Sequence, residues 1–253
     1  MMRFAFVVHM EPALTRALAP LGNSARGAVL ADQRCWYDDS MRIVVFGASG
    51  GTGREIVKQS LIRGLETTAF VRDSSTMEPA SRLAIASGDV LDSEAVDRAI
   101  QGHHAVLSVL GNRPQSAHDL LPRAIGNVIA AMKAHGVRRL VVLAAAGALD
   151  MNETLQHQSV RTKMVFRTRA ATLMSHTLRD HAEYERVVVA SDLDYTIVHA
   201  ARLLDEPQTG RYRVEEDGLP QGATTISRAD VAEFMLDQLD TDKYVRKRPY
   251  IGV

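Results

Sequence analysis

From Met41 onward, short runs rich in β-branched and other apolar residues alternate with segments whose apolar positions recur every three or four residues. The runs that predict strands are Arg42–Phe46, Glu66–Val71, Leu83–Ala86, Ala105–Leu110, Leu140–Leu143 and Tyr195–Val198. Between them lie helical patterns over Thr52–Arg63, Ser93–Ile100, Leu120–Ala134 and roughly Lys163–Ala190. Strand and helix in alternation imply repeated βαβ units, and so an α/β fold with a doubly wound parallel sheet. Ile43–Phe46 and Leu140–Leu143 are apolar throughout rather than alternating, as suits strands covered on both faces. Ser227, with Asp230 three residues later, predicts a capping box that opens a helix to about Leu239.

Residues 1–40 read differently. Phe4–Val8 suits a short strand and Pro12–Leu18 a helical turn, but neither has an obvious partner, and Met41 stands directly before the first strong strand. These residues are expected to be an extension outside the core fold. An upstream translation start and a peripheral helix are two readings that the sequence leaves open. Residues 41–253 are expected to form one domain with a small substrate-side region near the C-terminus.

A chain of 253 residues suits one sizeable core, hence one cofactor and one active site. Lys and Arg total 30, as do Asp and Glu, and no run of like charges forms a footprint for nucleic acid or a membrane surface. Cys35 is the only cysteine. It excludes an internal disulfide and a thiolate metal cluster and suits a reducing compartment, so the cytoplasm is expected. No stretch approaches the roughly 18 apolar residues of a membrane span, and Phe4–Val8 is too short for a secretory signal.

The segment richest in chemistry is Gly47-Ala48-Ser49-Gly50-Gly51-Thr52-Gly53, set between the first apolar strand and the first helix. Glycines at 47, 50 and 53 let the backbone turn off the strand, approach phosphate oxygens and pack the helix on the sheet, while free N–H groups of the helix start face the anion. This predicts a Rossmann-type dinucleotide site. At the end of the second strand an acid would hold the ribose 2′-hydroxyl of NAD, whereas an arginine accommodates the 2′-phosphate of NADP. Arg72 stands there, with Ser74 and Ser75 as hydroxyl donors, so NADP(H) is expected; Asp73 as a ribose ligand keeps NAD(H) as the alternative. Asp89 and Val90 follow the third strand, where a short acid can bond the adenine amino group and the next residue can pack on the ring. The other reading of Asp89 is a helix start, a role for which Ser93 is better suited. Leu110 and Gly111 end the fourth strand at the edge where ligands of open α/β sheets bind, with Arg113 a candidate for cofactor phosphate or substrate charge.

Five segments in order and spacing resemble the biliverdin-IXβ reductase/flavin reductase group of atypical short-chain dehydrogenases, with NAD(P)-binding, NmrA-like folds. They are the glycine loop, Val71-Arg72-Asp73-Ser74-Ser75, Gly88-Asp89-Val90-Leu91, Ala131-Met132-Lys133-Ala134-His135-Gly136-Val137 and Pro207-Gln208-Thr209-Gly210-Arg211-Tyr212. The resemblance covers about residues 42 to 253. It implies that His181 contacts the nicotinamide ribose. Leu143 and Ala145, after the fifth strand, complete the expected cofactor set; no metal is expected.

The chain departs from its wider relatives in ways that bear on chemistry. No tyrosine has a lysine four residues later, which disfavours a tyrosine acid: Tyr184 is followed by Val188, Tyr195 by His199 and Tyr244 by Arg248. Ala145 stands where the resembled group has a serine, and Arg202 where it has a histidine; a fixed positive charge favours an anionic substrate but donates no proton. Met151, Met164, Phe166 and Met174 suggest an adaptable apolar wall, or simple core packing. The expected function is an NADPH-dependent reductase that passes hydride directly to a flat small-molecule acceptor such as a flavin, tetrapyrrole or quinone, with His181 and Arg202 at the reacting end. Nucleic acid and membrane are not expected partners. The alternative is a non-catalytic NADP(H)-binding redox sensor with a protein partner, motivated by Ala144–Ala146 where a reductase would place polar groups. An epimerase or dehydratase of sugar nucleotides is weakened by the missing tyrosine–lysine pair.

Overall fold

The first strand, β1 (Arg42–Phe46), shows why this chain makes a sheet covered by helices on both faces. All of Ile43–Phe46 is buried, yet the side chains divide by the two-residue period of a strand: Ile43 and Val45 join one apolar cluster, Val44 and Phe46 the other. Each cluster needs its own covering of helices. The structure is a computed structural model that describes residues 41–111, 119–173 and 175–253. The extension at 1–40, Arg113 and Met174 therefore lie outside the described residues.

Further strands are β2 (Glu66–Val71), β3 (Leu83–Ser87), β4 (Ala105–Ser108), β5 (Arg139–Ala145), β6 (Asp194–Ala200), β7 (Arg202–Leu204), β8 (Arg213–Glu215), β9 (Thr225–Ser227) and β10 (Tyr250–Gly252). The main sheet runs β3-β2-β1-β4-β5-β6-β10-β8, parallel except for the antiparallel edge strand β8. A parallel pair, β7 and β9, forms a second small sheet. The helices are α1 (Gly51–Ile62), α2 (Ser93–Ile100), α3 (Leu120–Ala134), α4 (Met151–Leu155), α5 (Val160–Leu173), α6 (Ser175–Val189) and α7 (Arg228–Asp237). One cluster is capped by α1 and α7, the other by α2, α3 and α6. Strand order reverses between β1 and β4, and there the carboxyl ends splay into the crevice where such sheets bind ligands.

Several expected boundaries shift for physical reasons. β4 stops at Ser108 because its partner β1 ends at Phe46, before the turn at Gly47; Val109–Gly111 leave the sheet as cavity wall. β5 runs on to Ala145 and β6 to Ala200 because the two pair through Leu143↔Val198, Ala144↔His199 and Ala145↔Ala200. The helical pattern over 163–190 starts earlier than expected and is helix at its described residues, 160–173 (α5) and 175–189 (α6), with the short α4 before it, whose start is capped by Asp150. Asp92, not Ser93, caps α2 and accepts from the N–H groups of Glu94 and Ala95. Ser227 does cap α7, accepting from the N–H of Asp230, and its hydroxyl lies close to the Asp230 carboxylate. That carboxylate also accepts from the N–H of Thr209, the hydroxyl of Thr209 and the N–H of Gly210.

Candidate functional site

The turn off β1 is built from residues that lack side chains where the backbone crowds. Gly47 has φ +84°, and a Cβ there would stand 2.8 Å from the carbonyl oxygen of Val109. A Cβ on Gly53 would run into the carbonyl of Gly47 and the backbone of Ala48. The turn is closed by the N–H of Gly50 donating to Gly47 O at 3.0 Å. Gly50 caps α1 without any side-chain hydrogen bond, so the first N–H groups of the helix stay free for a ligand.

These groups open onto a cavity of about 1070 Å³ at the carboxyl ends of β1, β4, β5 and β6. Of the expected site residues, Gly50, Gly51, Thr52, Gly53, Leu110, Gly111, Leu143, Ala145, His181 and Arg202 all line it. Gly47 shapes the loop behind it, and Ser49 lends its carbonyl to Arg54 Nε at 3.1 Å. Arg72, Ser75, Asp89 and Val90 stand outside the lining, just past the ends of β2 and β3 on the same sheet edge.

At that edge stand the residues on which the two cofactor alternatives turn. Asp73 caps a 3₁₀ turn over Ser74–Thr76 and accepts from the N–H of Ser75 at 2.9 Å. The Ser75 side chain and N–H hold its carboxyl below the usual carboxylate range. Asp73 thus has a local partner for one of its oxygens, whereas the exposed Arg72 guanidinium has no partner among the described residues. Asp89 is exposed and accepts from the N–H of Leu91, and Val90 is buried in the cluster beneath α2 and α3.

The far end of the cavity is apolar. Leu143–Ala146, Ala200 and Ala201 form its floor, with Val165 and Phe166 of α5 as a wall. Met164 is largely exposed and Met151 packs under Gly147, so of the three described wall candidates only Phe166 reaches the cavity; Met174 is outside the described residues. Among the described residues no tyrosine lines it. Tyr184, the nearest candidate acid by sequence, is fully buried and donates to Ser108 Oγ at 3.0 Å. Burial pushes its phenol far above the ordinary range.

His181 reaches the cavity from α6 with 8 % of its surface exposed. Its Nδ1 is fully buried and unpartnered. Desolvation pushes its proton affinity down against the upward pull of Glu185 and Asp180. Behind it, His199 Nε2 lies 3.0 Å from Glu185 Oε2, both side chains almost wholly buried. The separation is that of an ion pair, but the ring's N–H direction misses the carboxylate and no aligned hydrogen bond forms.

Sequence reasoning missed two cations of this site. Arg228, the first residue of α7, lies against Gly51 and pairs with Asp205 at 2.7 Å. Arg161 of α5 lines the opposite end. The Ser227 cap placed Arg228 at a helix start, but nothing local shows that this start meets the glycine loop; Arg161 precedes the expected start of its helix.

A family model described as NAD(P)H-binding matches residues 47–242. The protein YwnB of Bacillus subtilis (strain 168) is 29% identical over 215 residues, 82% of this chain and 96% of its own length. A 3-diazoavenalumate denitrifying reductase of Streptomyces sp is 30% identical over 187 residues; that alignment takes in 68% of this chain but 59% of the reductase. Among solved structures, ChuY, an anaerobillin reductase from Escherichia coli O157:H7, superposes with a TM-score of 0.64 at 21% identity, covering 83% of this chain and 96% of that one.

Proposed function

The chain belongs to this NAD(P)H-binding, reductase-like family, and from that premise we propose that it is an NADPH-dependent reductase that passes hydride directly to a flat acceptor: a flavin, a tetrapyrrole or a quinone. The observation that carries the reading is the far end of the cavity, an apolar slot walled by Val165 and Phe166 with no tyrosine hydroxyl among its described lining residues. When bound, the reduced nicotinamide supplies the hydride; a conjugated acceptor spreads the incoming charge and takes its proton from water. The chain's own residues then need to bind, orient and exclude water rather than donate. The acceptor named for the E. coli structure supports this class.

The residues present fit the cofactor. The uncapped start of α1 and Arg228 hold the pyrophosphate, and a Cβ-free loop lets it approach. Arg72 takes the 2′-phosphate, for which a planar guanidinium without a partner is suited. His181 orients the nicotinamide ribose. Arg202 and Arg161 receive an anionic arm of the acceptor. The test is to mix purified protein with NADPH and a panel of FMN, bilins and quinones and follow the nicotinamide absorbance band. Oxidation with at least one member is expected.

One observation favours a second reading, an NADP(H)-binding sensor with a protein partner: α5 exposes Val160, Met164 and Val165 to 81%, 70% and 54% at the cavity rim. Tight NADPH binding without oxidation across the whole panel would replace the reductase reading with this one. Neither reading calls for a membrane, and no described helix is long and apolar enough to cross one.

A further inference from the structure

His181 and Glu185 are four residues apart on α6 and so share a face of that helix. Glu185 is completely buried, and neither of its oxygens has a hydrogen-bond partner. An ionised carboxylate in such a place must be neutralised by a proton or a close cation. His199, from β6, offers Nε2 at 3.0 Å and has no aligned hydrogen bond of its own.

The other titratable groups around them are accounted for. On α6, Tyr184 is tied to Ser108, its phenol pushed far up by burial. From β10, the ring of Tyr250 packs 4.5 Å from that of His199; burial pushes its phenol up to about 12, with Glu153 and Arg248 acting on it in opposite senses. Both tyrosines therefore stay neutral. Asp180 has contacts of its own and adds to the pull for a cation on His181. Glu185 and the two imidazoles are what remains to share a proton. With the carboxylate charged and both rings neutral, the trio is one proton short of neutrality. That proton has three homes: the carboxyl group, His199, or His181. The first two keep the charge inside the fold, and the third brings it to the cavity wall.

We propose that Glu185, His199 and His181 share this single proton, and that Glu185 is thereby a positioning residue controlling the charge His181 presents at the nicotinamide end of the cavity. The assignment rests on reading that cavity as the cofactor site. It implies that Glu185 and His199 act on His181 with opposite sign. Glu185 draws the proton toward His181 as a counter-charge, and His199 competes for it.

The experiment is a histidine NMR titration of His181 in the full chain without cofactor or acceptor, the resonance assigned by its loss in His181→Gln. Glu185→Gln is expected to lower the His181 midpoint by about one pH unit or more, and His199→Gln to raise it, with Glu185→Asp restoring part of the first shift. A midpoint unmoved in both folded variants, or moved the same way by both, overturns the proposal. Should Glu185→Gln not fold, the upward shift in His199→Gln still decides by its sign. Because this readout needs no turnover, an absence of reduction across all acceptors would sink the reductase reading while leaving the opposite shifts to stand or fall separately.

Discussion

Residues 42–111 and the stretch from Ala146 onward build two walls of one cavity from different material. In the first stretch the ligand-facing surface is mostly backbone: a strand end, a turn without side chains and an uncapped helix start. In the second it is mostly side chains, with Arg161, Phe166, His181, Arg202 and Arg228 arriving from α5, α6, β7 and α7. A surface made of backbone has one geometry and fails when atoms are added to it. A surface made of side chains can be retuned one residue at a time. The first wall should therefore break under substitution and the second should shift.

The sharpest way to test the contrast is Gly53→Val, whose Cβ has no room beside Gly47 O. Overpacking of this kind costs about 3 kcal/mol, roughly 6 to 12 °C of melting midpoint for a domain this size. NADPH binding, read by nicotinamide fluorescence, should be lost; a variant that binds normally would show that the turn is not the phosphate cradle. Next is Arg72→Ala, expected to remove an NADPH-over-NADH preference of about tenfold to a hundredfold, the worth of one charge-assisted hydrogen bond. Equal calorimetric affinities in the unaltered protein would defeat that expectation.

In the second wall, Asp230→Asn weakens the acceptor for Thr209 and Gly210 and should cost about 1.5 to 3 kcal/mol by chemical unfolding at neutral pH. Burial alone would raise the Asp230 carboxyl, but the N–H groups of Gly210 and Thr209 and the hydroxyls of Ser227 and Thr209 outweigh it and lower it. A carboxyl lowered in the folded state stabilises above its unfolded value near 3.9 and loses that contribution as pH falls through the lower folded value. The gap between parent and variant should therefore narrow from pH 6 to pH 3; a constant gap would mean that charge plays no part. Arg202→Ala is expected to raise KM for anionic acceptors about tenfold with kcat nearly kept, since uniform binding appears in KM. A fall confined to kcat would assign Arg202 to the reacting atoms instead. The smallest effect is expected from a chain that begins at Met41, which should keep its NADPH affinity and melt within a few degrees of the full chain; insolubility would contradict it.

The same contrast explains what could be read in advance. Arg42–Phe46, Glu66–Val71, Ser93–Ile100 and Leu120–Ala134 match the structure residue for residue, because each is long or periodic enough to carry its own signal. β7, β8, β9 and β10 are three residues each, and their pairing partners lie far along the chain, so no local pattern announces them. Ala144 and Ala145 look like helix formers and are strand because β6 pairs with them. Within the site, the glycine turn was legible because crowding demands glycine. Glu185 was not, since its importance comes from being packed against His199 of another element.

The contact between α1 and α7 has a consequence in time. Gln59 Nε2 donates to the carbonyl of Ala229, 170 positions later, Arg63 pairs with Asp237, and Ile56 and Val57 share a cluster with Val231 and Phe234. The helix that follows the nucleotide loop therefore lacks its covering until nearly the whole chain has left the ribosome. At about 5 to 20 residues per second this delay is roughly 10 to 30 seconds. Through that interval the apolar flank of α1 is open to chaperones and to other nascent chains. A release that stops short of Ala229 leaves a loop with every glycine in place and no finished helix face to steady it.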